Sequence, residues 1–249
     1  MRLIVLGSNG TYPTPTRPGS GYLVEQDQTR IWCDAGPGTF VALQQARGVE
    51  GVDAIILSHQ HLDHCLDLLT AYHALAYGPQ PRHHLPVFAP AAVWERITAF
   101  LDPRPDDPFL STFDFRAVGD GDQAQIGGLV VQFAVTDHSV PTVATRFEGG
   151  GKSLAYSSDT GPAGDWFRAA ARADLFLCEA TYQGDGSQEV YPYHLTAFQA
   201  GAIGARQGVG QLVLTHLRPT ADRERSRSEA ETTFGQPVQV AQPGLTLEI

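Results

Sequence analysis

The chain has 249 residues, of which 42% are hydrophobic and 18% charged, an ordinary composition for a globular protein that excludes a disordered chain. Its formal net charge of −10 argues against a broad nucleic-acid-binding face, because a polyanion is held by lysine and arginine. No apolar run approaches the ~20 residues of a membrane-spanning helix, and three scattered cysteines favour a reducing cytoplasm over a disulfide framework.

Strand-like runs rich in β-branched and aromatic residues alternate with helix-like runs along the chain. The predicted strands cover residues 2–7, 21–26, 29–36, 53–58, 85–90, 112–118, 129–137, 142–148, 153–159, 174–180, 211–216 and 244–249. The predicted helices cover residues 38–47, 63–77, 91–101, 162–172, 195–207 and 226–234. This mixed order predicts two sheets packed together with helices outside. No repeat or linker divides residues 1–249, so we expect a single domain.

Residues 54–68, AIILSHQHLDHCLDL, join a strand-like run to a leucine-rich helix through a loop of potential metal ligands. His59 and His61 point to the same side of the extended chain at the end of the strand. Asp63 and His64 follow in the first turn of the next helix. Imidazole nitrogen and carboxylate oxygen are ligands suited to Zn²⁺ and its neighbours, so the loop predicts a metal site.

The spacing H-x-H-x-D-H after a buried strand resembles the hallmark of the metallo-β-lactamase superfamily. That resemblance implies an α/β fold, a four-layer αββα sandwich. It also implies two divalent metal ions, with Zn²⁺ favoured and Mn²⁺ or Fe²⁺ also compatible. Further ligands are implied at later strand ends, where the chain has His138 in VTDHSVP, Asp159 in LAYSSDTGP and His216 in LVLTHLRP.

The resemblance assigns seven ligands to the two metals, which leaves room for a shared water or hydroxide. They are His59, His61 and His138 on the first metal, Asp63, His64 and His216 on the second, and Asp159 between the two. Asp34, in WCDAGPGT, matches the family's aspartate on an early strand, and we expect it to orient a ligand histidine.

Two later stretches, LFLCEATYQ and YHLTAFQAGAIGARQG, resemble the RNase Z-like phosphodiesterase branch of this superfamily. In that branch a strand that ends in a glutamate precedes a histidine at the start of a helix, and Glu179 and His194 match this pattern. A histidine kept protonated by a carboxylate can donate a proton to a leaving alkoxide, while a metal-bridging hydroxide attacks. We therefore expect Asp63, Glu179 and His194 to carry catalysis.

Residues 139–158 predict two strands joined by a glycine turn. Family members that process transfer RNA have a long arm in this region, for which this segment has no room. The resemblance is therefore to armless bacterial members, some of which are described as cyclic-nucleotide phosphodiesterases. It implies a dinuclear metal-dependent hydrolase that acts on a small anionic phosphodiester, such as a 3′,5′-cyclic nucleotide, rather than on RNA. It also suggests a homodimer, while the cysteine count and the lack of a long apolar run favour a cytoplasmic protein without a membrane partner.

Three other functions stay open at this point. An RNase Z-type 3′ endonuclease could use the same metal site, and so could a hydrolase of lactones, thioesters or sulfate esters. A metal-binding protein without catalytic activity is the third alternative. Arg17, Arg82, His83 and His84 could contact a substrate phosphate, and the sequence leaves their roles open.

Overall fold

Two seven-stranded β-sheets pack face to face in the computed structural model, which describes residues 1–187 and 192–249. The first sheet contains, in spatial order, β14 (Thr246–Glu248), β1 (Arg2–Gly7), β2 (Gly21–Gln26), β3 (Thr29–Cys33), β4 (Ala54–Ile56), β5 (Leu85–Ala89) and β6 (Phe113–Ala117). The second contains β13 (Gln239–Val240), β12 (Gln211–Thr215), β11 (Leu175–Glu179), β10 (Lys152–Tyr156), β9 (Val143–Gly149), β8 (Leu129–Val135) and β7 (Gln123–Ile126). Strands β3 to β6 are parallel, as are β10 to β13, and the other pairs are antiparallel.

Helices cover the outer face of each sheet. Against the first sheet lie α1 (Thr39–Ala46), α2 (Leu62–Cys65), α3 (Asp67–Tyr77), α4 (Ala91–Leu101) and α5 (Pro108–Thr112). Against the second lie α6 (Ala197–Gln207) and α7 (Arg223–Phe234). One apolar cluster lies between each sheet and its helices, and a third lies between the sheets. This order of layers confirms the predicted αββα sandwich.

Strand β1, RLIVLG, shows how one strand serves two of these clusters. Leu3 and Val5 belong to the cluster between the sheets, whereas Ile4 and Leu6 belong to the cluster under the helices, because successive side chains of a strand point to opposite faces. Both faces are covered, so the strand is a continuous apolar run. Burial of each such side chain stabilises the fold by about 1.5–3 kcal/mol.

The carboxyl ends of six strands meet at one end of the sandwich. Strands β3 and β4 are parallel neighbours, and so are β10, β11 and β12. Strand β8 points the same way as β10, because the antiparallel β9 separates them. Loops that leave these carboxyl ends therefore lie close together, which is where open α/β sheets place their ligand sites.

The helix predicted over residues 63–77 is interrupted between α2 and α3. The N–H of Asp67 donates to the carbonyl of Ala35 at 2.7 Å, and the carbonyl of Asp63 accepts instead from the N–H of Ser20 at 3.1 Å. These bonds replace the regular helical bond between the two aspartates. The turn that carries Asp63 is thereby tied to the loops after β1 and β3.

The α-helix predicted over residues 162–172 is wrong, because the structure has only a 3₁₀ turn there, Trp166–Ala170. Gly161 and Gly164 flank the start of this turn, and glycine disfavours helix formation. The indole N–H of Trp166 donates to the carbonyl of Gly161 at 3.2 Å, which folds the segment back on itself.

Four short elements of the described residues were not predicted from the sequence: α5, β7, β13 and the 3₁₀ turn Val49–Gly51. Helix α5 has clear local signals, since Asp107 accepts from the N–H of Phe109 at 2.9 Å and Pro108 occupies its first position. Strands β7 and β13 are edge strands with few apolar residues, so periodicity does not reveal them. Within residues 1–187 and 192–249, no helix combines the length and the apolar character needed to cross a bilayer.

Candidate metal centre

The structure brings together all seven side chains for which the sequence predicted metal binding. They are His59, His61, Asp63, His64, His138, Asp159 and His216. They leave the carboxyl ends of β4, β8, β10 and β12, where the two sheets meet. Their nitrogen and oxygen atoms fall into groups whose members lie within 4.8 Å of one another.

The first group consists of three imidazoles and one carboxylate. His61 Nδ1 lies 3.1 Å from His59 Nε2 and 3.2 Å from His138 Nε2. Asp159 Oδ2 lies 3.6 Å from His59 Nε2 and 4.0 Å from His138 Nε2. Four potential ligand atoms thus surround one point.

The second group uses the other oxygen of the same aspartate. Asp159 Oδ1 lies 3.3 Å from His64 Nε2 and 3.4 Å from His216 Nε2. Asp63 Oδ2 lies 3.3 Å from His216 Nε2 and 3.8 Å from His64 Nε2. Asp159 therefore directs one oxygen toward each group.

The donor atoms fit a pair of divalent cations. In a tetrahedral zinc site with bonds of about 2.0–2.1 Å, neighbouring ligand atoms are about 3.3 Å apart, close to the distances in both groups. His64 Nε2 and Asp159 Oδ1 are buried without a hydrogen-bond partner among the described residues, a costly arrangement that a cation would relieve. Burial is the main cause that lowers the pKa of His59, His61 and His138, so these imidazoles favour the neutral form that binds metals.

Asp34 is fully buried and forms a hydrogen bond with His64 of the second group. Its Oδ2 accepts hydrogen bonds from His64 Nδ1 at 2.7 Å, from the Tyr156 hydroxyl at 2.8 Å and from the Ser58 hydroxyl at 2.9 Å. Because Nδ1 of His64 is bound there, Nε2 is the nitrogen that faces Asp159. Neither Ser58 nor Tyr156 was predicted, and Tyr156 carries no local signal because it reaches Asp34 from the other sheet.

We expect Asp34→Asn to weaken metal binding by about 10–100-fold, because replacing a residue that orients a ligand histidine usually lowers metal affinity by that factor. The amide keeps the volume but has only one oxygen, so it cannot accept all the hydrogen bonds that Asp34 accepts. Competition with a chromophoric chelator measures the change. Asp53→Asn is the matched control, since Asp53 accepts from the N–H of Arg30 at the opposite end of β4. Equal affinity in wild type and Asp34→Asn would contradict this expectation.

Glu179 and His194, the predicted acid pair, are in contact. His194 Nδ1 lies 2.9 Å from Glu179 Oε1, and the imidazole ring lies 5.2 Å from that of His138 and 5.5 Å from that of His216. Glu179 is fully buried, whereas the His194 side chain is 14% exposed. Burial opposes the charged imidazolium, but the Glu179 carboxylate outweighs it and raises the pKa of His194 to about 9.

Thr181 connects this pair to the second group and was not predicted. Its hydroxyl donates to Glu179 Oε2 at 2.8 Å and lies 2.8 Å from His216 Nδ1, from which it can accept. That bond leaves His216 Nε2 to face Asp63. The sequence held a signal for Thr181, because it follows Glu179 by two positions at a strand end and so points to the same side.

His194 also forms a third group with Asp159 and His216, so metal binding is an alternative to a proton-donor role. The contact of its Nδ1 with Glu179 leaves only Nε2 for a metal. Asp159 and His216 already complete the other two groups. We favour the proton-donor role for this reason.

The loop after β1 packs directly against the second group. The N–H of Thr11 donates to Asp63 Oδ2 at 2.7 Å. A Cβ atom on Gly10 would lie 2.8 Å from His216 Nδ1, and one on Gly36 would lie 2.1 Å from the carbonyl oxygen of Asp63. Only glycine fits at these two close approaches. Thr11 and Gly10 in the loop after β1 and Gly36 in the loop after β3 were not predicted to support the site.

The four residues whose roles the sequence left open lie in different parts of the structure. Arg82 donates to the carbonyl of Glu50, near the amino end of β4 and thus away from the two metal groups. His83 and His84 follow Arg82 and are exposed. Arg17, in contrast, belongs to the segment after β1, where its carbonyl accepts from the side chain of Asn9, next to the Gly10 that packs against His216.

A family model described as "Beta-lactamase superfamily domain" matches residues 29–217. The uncharacterized protein Rv1339 of Mycobacterium tuberculosis is 33% identical over 254 residues, which cover 100% of this chain and 92% of the relative. Ribonuclease Z of Methanopyrus kandleri is 29% identical over 280 residues, with 98% of this chain and 96% of the relative covered.

The chain is also similar to the probable metallo-hydrolase YhfI of Bacillus subtilis, at 26% identity over 259 residues that cover 100% of both chains. The crystal structure of YhfI, a metallo-beta-lactamase fold protein, aligns with a TM-score of 0.87 at 27% identity and covers 99% of each chain. The similarity therefore extends over the complete sandwich and not only over the histidine loop.

Proposed function

The chain belongs to the β-lactamase superfamily, and on that premise we propose that it is a metal-dependent phosphodiesterase. Its substrate in this proposal is a small anionic phosphodiester such as a 3′,5′-cyclic nucleotide. The two groups of histidines and aspartates hold two divalent cations, with Zn²⁺ favoured. His194 is the proton donor, and Glu179 orients it.

The contact between Glu179 and His194 carries this proposal. Cleavage of an ordinary phosphodiester releases an alkoxide, which needs a proton from a positioned acid. In the metal-free protein the Glu179 carboxylate raises the pKa of His194 to about 9, so the pair favours a protonated imidazole at neutral pH. An ester whose leaving group is a stable anion, such as a thiolate or a nitrophenolate, needs no such donor, so the pair favours a substrate that releases an alkoxide, as an ordinary phosphodiester does.

The side chains around the centre keep its donor atoms in place. Asp34 holds Nδ1 of His64 and Thr181 holds Nδ1 of His216, so both Nε2 atoms stay directed at the centre. When bound, divalent cations supply Lewis acidity for activating water and for offsetting the charge that builds on phosphate. Five donors point at the two oxygens of Glu179, which keeps its carboxylate aligned with His194.

The connection from β9 to β10 supports a small substrate over RNA. Gly150 and Gly151 form a tight turn, and Lys152 pairs with Gly149 on the neighbouring strand. Residues 139–158 therefore contain the two predicted strands and no arm. Similarity to ribonuclease Z keeps RNA cleavage as the second candidate function. The absence of a gel shift with RNA at low salt would remove that candidate.

The proposal is tested by hydrolysis of cyclic AMP and of bis(p-nitrophenyl) phosphate by protein loaded with Zn²⁺ or Mn²⁺. We expect turnover of both esters. Failure on both, in protein shown to carry its metal, would refute the phosphodiesterase function. Turnover of a lactone panel in the same protein would then move the assignment to carbonyl esters.

The protonation of His194 makes a separate prediction for metal-free protein. We expect its imidazole to titrate near pH 9, and to titrate at lower pH in Glu179→Gln. In the folded protein the pKa of His194 lies above the ordinary histidine value of about 6.5. The contribution of this proton to the stability of the fold is therefore complete below about pH 6.5. It is then lost as the pH rises through about 9.

The NMR signal of the His194 ring, followed against pH in chelator-treated protein, measures this pKa. Glu148→Gln is the matched control, because Glu148 lies on the same sheet and pairs with Arg146. An unshifted titration in Glu179→Gln would show that Glu179 does not hold the proton on His194.

A further inference from the structure

The loop after β1 touches two segments that each carry an arginine. The side-chain amide of Asn9 donates to the carbonyl of Arg17 at 3.4 Å. The N–H of Gly10 donates to the carbonyl of Leu217 at 3.1 Å, and Arg218 is the next residue. Arg17 and Arg218 are thus brought to the same loop from segments about 200 positions apart in the chain.

A third arginine approaches the same loop from α7. The hydroxyl of Ser8 and the guanidinium of Arg223 both donate to the carbonyl of Ala241. Burial and the positive charge of Arg17 both lower the pKa of Arg223, so the two guanidinium groups interact. We refer to Arg17, Arg218 and Arg223 as the arginine cluster.

Within the described residues, no carboxylate forms an ion pair with the cluster. None of its guanidinium groups lies within 4.0 Å of a carboxylate in the described part of the chain, residues 1–187 and 192–249. Several other arginines are paired, as where Arg2, Arg30 and Arg47 share Glu25. In a chain with a net charge of −10, three arginines around one loop, with no carboxylate partner among the described residues, are available to an external anion.

Arg218 and the loop after β1 lie close to the metal groups and the proton donor. The guanidinium of Arg218 lies 5.7 Å from the centre of the Tyr182 ring, a cation–π contact. The Tyr182 ring in turn lies 6.0 Å from the ring of His194. On the other side, Gly10 packs against His216. A small molecule with one phosphate at the metals can therefore reach the cluster with another group.

The backbone of the cluster is restrained before any ligand binds. Arg17 and Arg218 each precede a proline, which confines their backbone to the extended region. Arg17 also pairs with Thr14 across a tight turn, with the N–H of Thr14 donating to the carbonyl of Arg17 at 2.8 Å. Less conformational freedom is lost on binding when the backbone that carries the donors is held in advance.

We infer that the arginine cluster is a binding site for a second phosphate group of the substrate. The inference rests on the proposed phosphodiesterase function and narrows its substrate class. Guanidinium groups bind phosphate oxygens with two parallel hydrogen bonds, which suits a phosphate better than a neutral group. A cyclic mononucleotide has one phosphate and cannot occupy both places. A cyclic dinucleotide has two phosphates on one small molecule and can.

Steady-state kinetics of the metal-loaded protein on cyclic di-AMP and on cyclic AMP test this site. In Arg17→Ala and in Arg218→Ala we expect KM for cyclic di-AMP to rise about tenfold or more, since each loses a charge-assisted hydrogen bond. KM for cyclic AMP is expected to stay unchanged. Arg225→Ala is the matched control, because Arg225 is an exposed arginine of α7 that pairs with Glu229.

Two results would overturn the inference. Unchanged KM values for both nucleotides would show that the cluster binds no substrate, and an equal rise for both would place the arginines on the scissile phosphate. Should wild type fail to hydrolyse even bis(p-nitrophenyl) phosphate, the proposed function fails by itself. Calorimetry with a phosphorothioate cyclic dinucleotide then tests phosphate binding by the cluster. Tight binding to wild type that is lost in both Arg17→Ala and Arg218→Ala supports the site. Equal binding to wild type and to both variants refutes it.

Discussion

Asp159→Asn is expected to lose at least about a thousandfold in kcat/KM on every phosphodiester, because the metal ions supply several kcal/mol of transition-state stabilisation. Asp159 directs Oδ2 toward the first group and Oδ1 toward the second. An amide offers one oxygen in place of two, so at least one metal site loses a ligand. Metal content by mass spectrometry and kcat/KM on bis(p-nitrophenyl) phosphate are the measurements.

Asp174→Asn is the matched control for this variant. Asp174 accepts from Lys152 and from the N–H of Ser153 at the opposite, amino end of the same strands. Added metal should raise the melting temperature of wild type and of Asp174→Asn, because a ligand that binds only the folded state stabilises it. The same rise in Asp159→Asn, together with full activity, would show that Asp159 holds no metal.

His194→Ala is expected to lower kcat/KM on cyclic AMP by about 10²–10⁴-fold, the usual contribution of a general acid. The alkoxide that leaves cyclic AMP needs the proton that His194 holds beside Glu179. The p-nitrophenolate that leaves the artificial ester is stable without a proton, so its hydrolysis should fall far less. The ratio of the two rates therefore reports the acid role separately from metal binding.

His73→Ala is the matched control, because His73 is an exposed histidine of α3 that contacts the carbonyl of its own helix at Leu69. It should leave both rates and the metal content unchanged. If His194→Ala instead lowers both rates equally and removes a metal ion, then His194 is a ligand in the third group with Asp159 and His216.

The sequence determined the fold class because both faces of each central strand are buried. Continuous apolar runs such as RLIVLG follow directly from that burial. It also determined which residue types reach the centre, since His216 directly follows β12 and His59 follows β4 after only Leu57 and Ser58. The predicted helix boundaries were wrong where a hydrogen bond between distant segments replaced a hydrogen bond within the helix. The bond from Asp67 to Ala35, which interrupts the helix predicted over residues 63–77, is an example.

Only the tertiary structure decided how these residues are arranged. The two oxygens of Asp159 divide between two groups because β10 lies between strands that supply ligands to each. Tyr156 reaches Asp34 from the facing sheet. The arginine cluster forms only because the loops after β1 and β12 pack together. Such contacts join segments that are far apart in the chain. Their geometry depends on how the two sheets pack, which no local pattern of residues encodes.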